Sequence, residues 1–323
     1  MLELAPTRSN TAVSQSSSRQ ARRTRFRRWT LPFIPMALPA VIWLLVFSYL
    51  PMFGLIIAFK NYKYDKGIFG SAWAGLENFR YLFATKAAQD ITFNTLYMNA
   101  LFIVTTLVVS ITVAILAHSI KNHFLTKYYQ SALFLPFFIS YIIVAIFVQA
   151  LLGNDTGMVN RLLQHFGRPG IDWYSSPQYW PAILTLVNLW KSIGFWSLIY
   201  FAGLLGINPE FYEAAEVDGA GNWAKLVYIT LPLLTPLIII NVILSIGRIF
   251  YADFGLFYQV TMNRGQLFST TNVIDTYVYR SLVTTGDIGM ASAAGFYQAI
   301  VGFLLVLGSN LIVRRINPDK AVF

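Results

Sequence analysis

Cysteine is absent from the 323 residues, so disulfides and thiolate metal sites are excluded. Charge is scarce: 12% of residues are Asp, Glu, Lys or Arg, about half the share of an ordinary soluble domain. His118, His123 and His165 are the only histidines; they lack metal-ligand spacing, and no His-Glu-x-x-His occurs. There is no G-x-x-x-x-G-K-[ST], so nothing here cradles a nucleotide phosphate. No Asp or Glu falls clearly inside an apolar segment, which counts against a proton-coupled carrier. These absences leave no metal, no cofactor and no enzymatic role to expect of the chain itself.

What fills the chain is hydrocarbon. Hydrophobic residues make up 56%, more than a soluble fold of this length can hide. A transmembrane helix needs roughly 20 apolar residues. Six segments reach that length: 33–59, 94–119, 128–152, 182–206, 232–251 and 294–313. The expected fold is an all-α polytopic membrane protein with six transmembrane helices.

Six arginines within ten residues (Arg19, Arg22, Arg23, Arg25, Arg27 and Arg28) precede the first segment. Residues 1–30 read as a basic, largely disordered tail. Its position makes it a topology signal rather than a nucleic-acid site. No small-residue cleavage site follows in a convincing place, so the first span is expected to be retained. Lys121 and Lys127, then Arg314, Arg315 and Lys320, fall on the same side as the arginines. Both termini are therefore expected in the cytoplasm, although Lys60, Lys63, Lys66, Arg80 and Lys86 on the other side weaken the bias. The external segments 60–93, 153–181 and 252–293 carry Trp73, Trp173, Tyr174, Tyr179 and Trp180. These suit an interfacial aromatic belt or a docking surface for an external protein.

The polar interruption at 207–232 is the most informative stretch. It reads Glu213-Ala214-Ala215, then Gly219, then Ile229-Thr230-Leu231-Pro232. Asn208 and Pro209 predict a helix start, and Glu210 and Glu213 suit the positive end of its dipole. Phe211, Ala214 and Ala215 fall on one apolar face. Gly219 predicts the helix end, and Asn222 a second helix to Thr230. A connector resting on lipid would carry basic residues on its polar face. This one carries Glu210, Glu213, Glu216 and Asp218 against a single Lys225, which points to a protein partner.

This spacing resembles the EAA motif of permease subunits in bacterial ABC importers. The match extends to Pro39-Ala40-Val41-Ile42-Trp43, Ser48-Tyr49-Leu50-Pro51-Met52, Gly54-Leu55-Ile56-Ile57-Ala58-Phe59-Lys60 and Asp275-Thr276-Tyr277-Val278-Tyr279-Arg280. These look like the carbohydrate-uptake branch that imports large or complex saccharides, alginate and other polyuronates among them. It runs from about residue 31 to 315. It implies the type I ABC importer permease fold, with residues 31–323 as the permease domain in the bacterial inner membrane. Glu213, Ala214, Ala215, Asp218, Gly219 and Ala220 would form the coupling helix against an ATP-binding subunit. The implied partners are two such subunits, which carry ATP and Mg, a second homologous permease, an extracytoplasmic solute-binding protein and an oligosaccharide. A secondary sugar carrier or channel without an ATPase is the alternative.

Charges inside spans point to function. Two stand out, Lys191 and Arg248. Lys191 is followed by Trp196 and Tyr200, and aromatic faces with polar rims suit sugar rings. Lys191, Trp196, Tyr200 and Arg248 are the candidate substrate path, with the two cations suited to a uronate carboxylate. The competing reading has Lys191 bonding a partner helix and Arg248 pairing with Asp253.

Overall fold

The computed structural model describes residues 33–84, 86–120 and 122–316. The arginine tail, Lys121 and Lys320 lie outside them. The chain divides into two compact units, Met1–Ile56 and Ile57–Phe323.

In the first unit, α1 (Phe33–Leu44) passes into a π-helical turn, Leu45–Tyr49, and a 3₁₀ segment beginning at Leu50. Pro39 lies inside α1, and the departures from α geometry follow it and straddle Pro51, where the missing N–H breaks the regular ladder. The helical run Pro35–Phe59 has a mean hydropathy of 2.3 and none of its most apolar stretch is buried. A helix apolar on every side with no protein cover is suited to hydrocarbon.

The second unit opens with a two-stranded antiparallel hairpin, β1 (Lys60–Asn61) against β2 (Ala72–Trp73). Helix α2 (Glu77–Ala84) leads to α3 (Lys86–His118). At about 50 Å, α3 exceeds a hydrocarbon core of about 30 Å, so its first turns occupy part of what the sequence reads as an external loop. Helix α4 (His123–Phe134) runs into a 3₁₀ turn, Leu135–Phe138, and then α5 (Tyr141–Leu152). The two apolar halves of this third span meet at 99°, where a single continuous segment was expected. The cause is local: Pro136 cannot donate or continue the turn, and Ile139 and Ser140 are extended. Helix α6 (Met158–His165) precedes α7 (Trp180–Leu205). Then come α8 (Glu210–Val217), α9 (Asn222–Lys225), α10 (Leu231–Gly247), α11 (Ile274–Val283) and α12 (Ile288–Ile316). Among the described residues five helices are long and apolar enough to cross a membrane, or six if the bent pair is one span.

The clusters of buried side chains fix the helix directions. Met98 and Phe102 share one cluster with Trp180 and Leu184, while Ala114 shares another with Tyr200 and Leu204. Helices α3 and α7 are therefore parallel. Leu234 joins the Tyr200 cluster, and Phe250 joins Ile91, so α10 runs the opposite way. The end of α3 and the 207–232 loop thus share one end of the bundle, and segments 153–179 and 248–287 share the other. Two aromatics expected in a belt or docking surface belong instead to the core: Trp180 is 0% exposed and Tyr174 3%. The Trp180 indole donates to Trp173 O at 2.8 Å, which satisfies its one polar atom.

Candidate functional site: a protruding loop and a polar cavity

Helix α8 begins one residue later than the sequence suggests, at Glu210. Asn208 still caps it, its Oδ1 accepting from the Glu210 N–H at 3.1 Å. At the other end the Ala220 N–H donates to Ala215 O at 2.8 Å and the Gly219 N–H to Glu216 O at 3.0 Å. This pair of bonds is the Schellman termination. It requires a left-handed residue between them, and Gly219 has φ +79°. The second helix follows as expected from Asn222, but its last five residues, Leu226–Thr230, are π-helical and run directly into α10.

Two contacts tie α8 to that second helix. The Tyr212 and Thr230 hydroxyls lie 3.0 Å apart. The Thr230 hydroxyl donates its one proton to Lys225 O, so Tyr212 is the donor between them. Lys225 Nζ donates to Glu216 Oε1 at 2.7 Å, and this bond holds the exposed Glu216 carboxyl below its usual range. With Tyr212 turned inward, Phe211, Ala214 and Val217 face out at three-residue steps, all exposed. Glu213, Asp218 and Gly219 are exposed beside them.

The second feature is a cavity of about 360 Å³ between α3, α7 and α10, reaching Asp253 beyond the end of α10. Trp196, Tyr200 and Arg248 line it, with Asn99, Thr106, Asn188, Ser192, Asn241, Ser245 and Asp253. Its wall is thus mostly neutral amide, hydroxyl and aromatic surface. Arg248 is exposed. Among the described contacts it forms no ion pair with Asp253, whose oxygens accept from the Tyr141 hydroxyl at 2.7 Å and the Leu256 N–H at 3.2 Å. Asn241 is only 9% exposed, and its amide lies beside the Tyr200 hydroxyl.

Three of the four proposed path residues therefore meet in one place. Lys191 does not line the cavity, although its charge interacts with that of Asp253 in the wall: its ammonium donates to Pro136 O, Phe137 O and Ile139 O at the break of the third span.

Residues 106–319 match the family described as the binding-protein-dependent transport system inner membrane component. The chain belongs to this family. It is a permease, a membrane-spanning transport subunit rather than an enzyme. The permease is 31% identical over 284 residues to the polygalacturonan/rhamnogalacturonan transport system permease protein YteP of Bacillus subtilis (strain 168), covering 88% of each chain. Protein LplB of the same organism is 28% identical, over 88% of this chain and 89% of its own. Among solved structures, it resembles a chain of a bacterial ABC transporter involved in import of the acidic polysaccharide alginate. That likeness has a TM-score of 0.83, 32% identity, and covers 92% of the permease and 99% of that chain. A second structure, of a bacterial alginate ABC transporter in complex with alginate pentasaccharide-bound periplasmic protein, gives 0.82 at 32% identity, over 90% and 97%.

Sequence reasoning missed Asn99, Asn188 and Asn241. The signal was present, because an amide inside an apolar span is costly unless something answers it. Applying to amides the rule that picked out Lys191 and Arg248 would have found them. Tyr212 with Thr230 had no such signal, because only the folded loop brings them together.

Proposed function

We propose that this permease carries oligosaccharides bearing carboxylates, such as uronates, through the cavity at Trp196, Tyr200, Asn241 and Arg248. The observation that carries this reading is the lining: neutral amides and hydroxyls suited to sugar hydroxyls, an indole suited to a ring face, and one arginine suited to a carboxylate, while the Asp253 carboxylate of the same wall is engaged by the Tyr141 hydroxyl. The substrates named for YteP and for the alginate transporter are of the same chemistry.

In this reading the 207–232 loop is the coupling element and faces the cytoplasm. Glu213, Ala214, Ala215, Asp218, Gly219 and Ala220 seat in a groove of one of two ATP-binding subunits, which supply ATP and Mg. The outward row Phe211, Ala214 and Val217 supports this, as exposed apolar surface beside carboxylates suits a partner with an apolar groove and a basic rim. A second permease completes the path, and a solute-binding protein delivers the saccharide on the opposite side. Residues 1–30 form a basic cytoplasmic tail, and both termini lie on the cytoplasmic side of the inner membrane.

Arg248→Gln in the reconstituted transporter tests the substrate class. Uptake of labelled trigalacturonate is expected to fall at least tenfold, and uptake of neutral maltotriose, if carried, to change less than twofold. Equal loss for both would remove the carboxylate from the proposal. No trigalacturonate uptake by the wild type would remove the uronate.

A further inference from the structure

The break in the third span is where the membrane-embedded backbone most needs partners. Ile139 and Ser140 are extended, so Phe137 O and Ile139 O have no helical donor and Pro136 O keeps only the Ile139 N–H. In hydrocarbon such groups must be satisfied by something else. Lys191, reaching across from α7, does this. Its Nζ lies 3.3 Å from Pro136 O and 3.0 Å from Phe137 O, and it also bonds Ile139 O. An ammonium has three donors and no acceptor, so three carbonyls use all of them. The face of the Tyr141 ring lies 4.8 Å from the same nitrogen, a cation–π distance.

The surroundings divide at this point into two bodies, which meet away from the break in one buried cluster, Val144 and Val148 of α5 with Trp180 and Leu184 of α7. On one side α4 is seated on α7: a Cβ on Gly194 would meet Leu133 O at 2.1 Å, so only glycine permits that approach. Phe195 stacks on Phe137 at 5.1 Å. On the other side α5 is seated on the 253–260 segment. Tyr141 lies against Gly255, where a Cβ would meet the ring at 2.4 Å, and its hydroxyl holds Asp253, a residue of the cavity wall. Lys191 touches both bodies, through carbonyls on one side and the Tyr141 ring on the other.

We propose that Lys191 is a positioning residue that pins the break of the third span and, through Tyr141, sets Asp253 in the cavity wall. It does not bind the transported molecule. The break is the hinge about which the α5 body moves against the α4–α7 body as the transporter alternates. The proposal rests on ATP-driven alternation, and does not depend on which saccharide is carried.

The lack of native cysteine makes a clean measurement possible. Spin labels at Ile142→Cys on α5 and Leu186→Cys on α7, both exposed positions, report the distance between the bodies in the assembled transporter in nanodiscs, without nucleotide and with ADP–vanadate. No sugar is needed. In the otherwise unaltered background the resting distribution is expected to be narrow and to shift with nucleotide. Lys191→Met, which keeps the stem and removes the donors, should broaden the resting distribution at least twofold and lower ATP turnover at least tenfold. Tyr141→Phe keeps the ring under Lys191 and removes only its bond to Asp253. It should assemble, keep the narrow resting distribution and lose ATP turnover severalfold. An unchanged resting distribution in Lys191→Met, or unchanged turnover in Tyr141→Phe, overturns the proposal. Should Lys191→Met fail to assemble, Tyr141→Phe decides alone. A resting distribution that responds to Lys191→Met while nucleotide shifts nothing in the unaltered background would count against ATP-coupled motion at the hinge.

Discussion

The loop at 207–232 and the cavity differ in how they are built. The loop is a local object. Its cap and its turn join residues within five positions of each other and its ion pair residues nine apart, so most of its geometry follows from chemistry close in the chain. The cavity is assembled from α3, α7 and α10, with residues as distant as Asn99 and Asp253. Its polar groups are placed by packing that no short stretch encodes. Moreover, the loop turns apolar surface outward, while the cavity keeps the Asn241 amide buried inside. Both are costs to the isolated chain, and both make sense where a partner or a transported molecule is present.

The sharpest way to break this contrast is at Gly219. A Cβ there meets nothing within 4 Å, so any harm from substitution is conformational rather than steric. Left-handed backbone costs an ordinary L-residue about 1–2 kcal/mol, while Asn tolerates it far better. Gly219→Val is expected to abolish uptake with normal membrane insertion, and Gly219→Asn to retain at least half of it. Equal loss in both would mean that the turn geometry is not what matters.

A smaller effect is expected at Asn241. Asn241 is 9% exposed and burying an amide is costly, so Asn241→Leu should leave the thermal midpoint unchanged or raised. Uptake should fall about fivefold. A fall in both would place Asn241 among the packing residues and weaken the contrast with the loop.

The smallest effect is expected at Glu216. The Lys225 bond lowers its folded-state pKa, so the pair is formed above the ordinary glutamate range and is lost as pH falls through that lowered value. Because the carboxylate is exposed, the pair is screened by water and salt. Glu216→Gln should change uptake less than twofold at pH 7 and leave its profile flat between about pH 6 and 8. A large loss would mean that the ion pair, and not the Tyr212–Thr230 bond, holds α8 to the second helix.

Much of the fold was legible in the sequence, because apolar length alone locates helices in a membrane. The break in the third span was not, although Pro136 lies within that segment. Whether a proline bends a helix gently or ends it depends on what receives the freed carbonyls, and here the receiver, Lys191, lies 52 to 55 residues away. The same distance explains why Lys191 read as a cavity residue: an intramembrane charge signals a cost, not the group that answers it. In the loop, Glu213 through Gly219 were legible because a Schellman end and a cap are written in consecutive residues. Trp180 and Tyr174 misled for a related reason, since an aromatic at a span end can face lipid or core, and only packing decides.

The solitary arginine of the cavity carries an electrical consequence. Arg248 stays with the protein, so it can balance a substrate's negative charge only while the two are together. A carboxylate released on the inner side must be moved against a potential that is negative there. That work is about 2.3 kcal/mol for each charge per 100 mV, or about 7 kcal/mol for a trigalacturonate. An anionic sugar is thus driven outward by the resting membrane, and a passive pore with this lining would leak it from the cell.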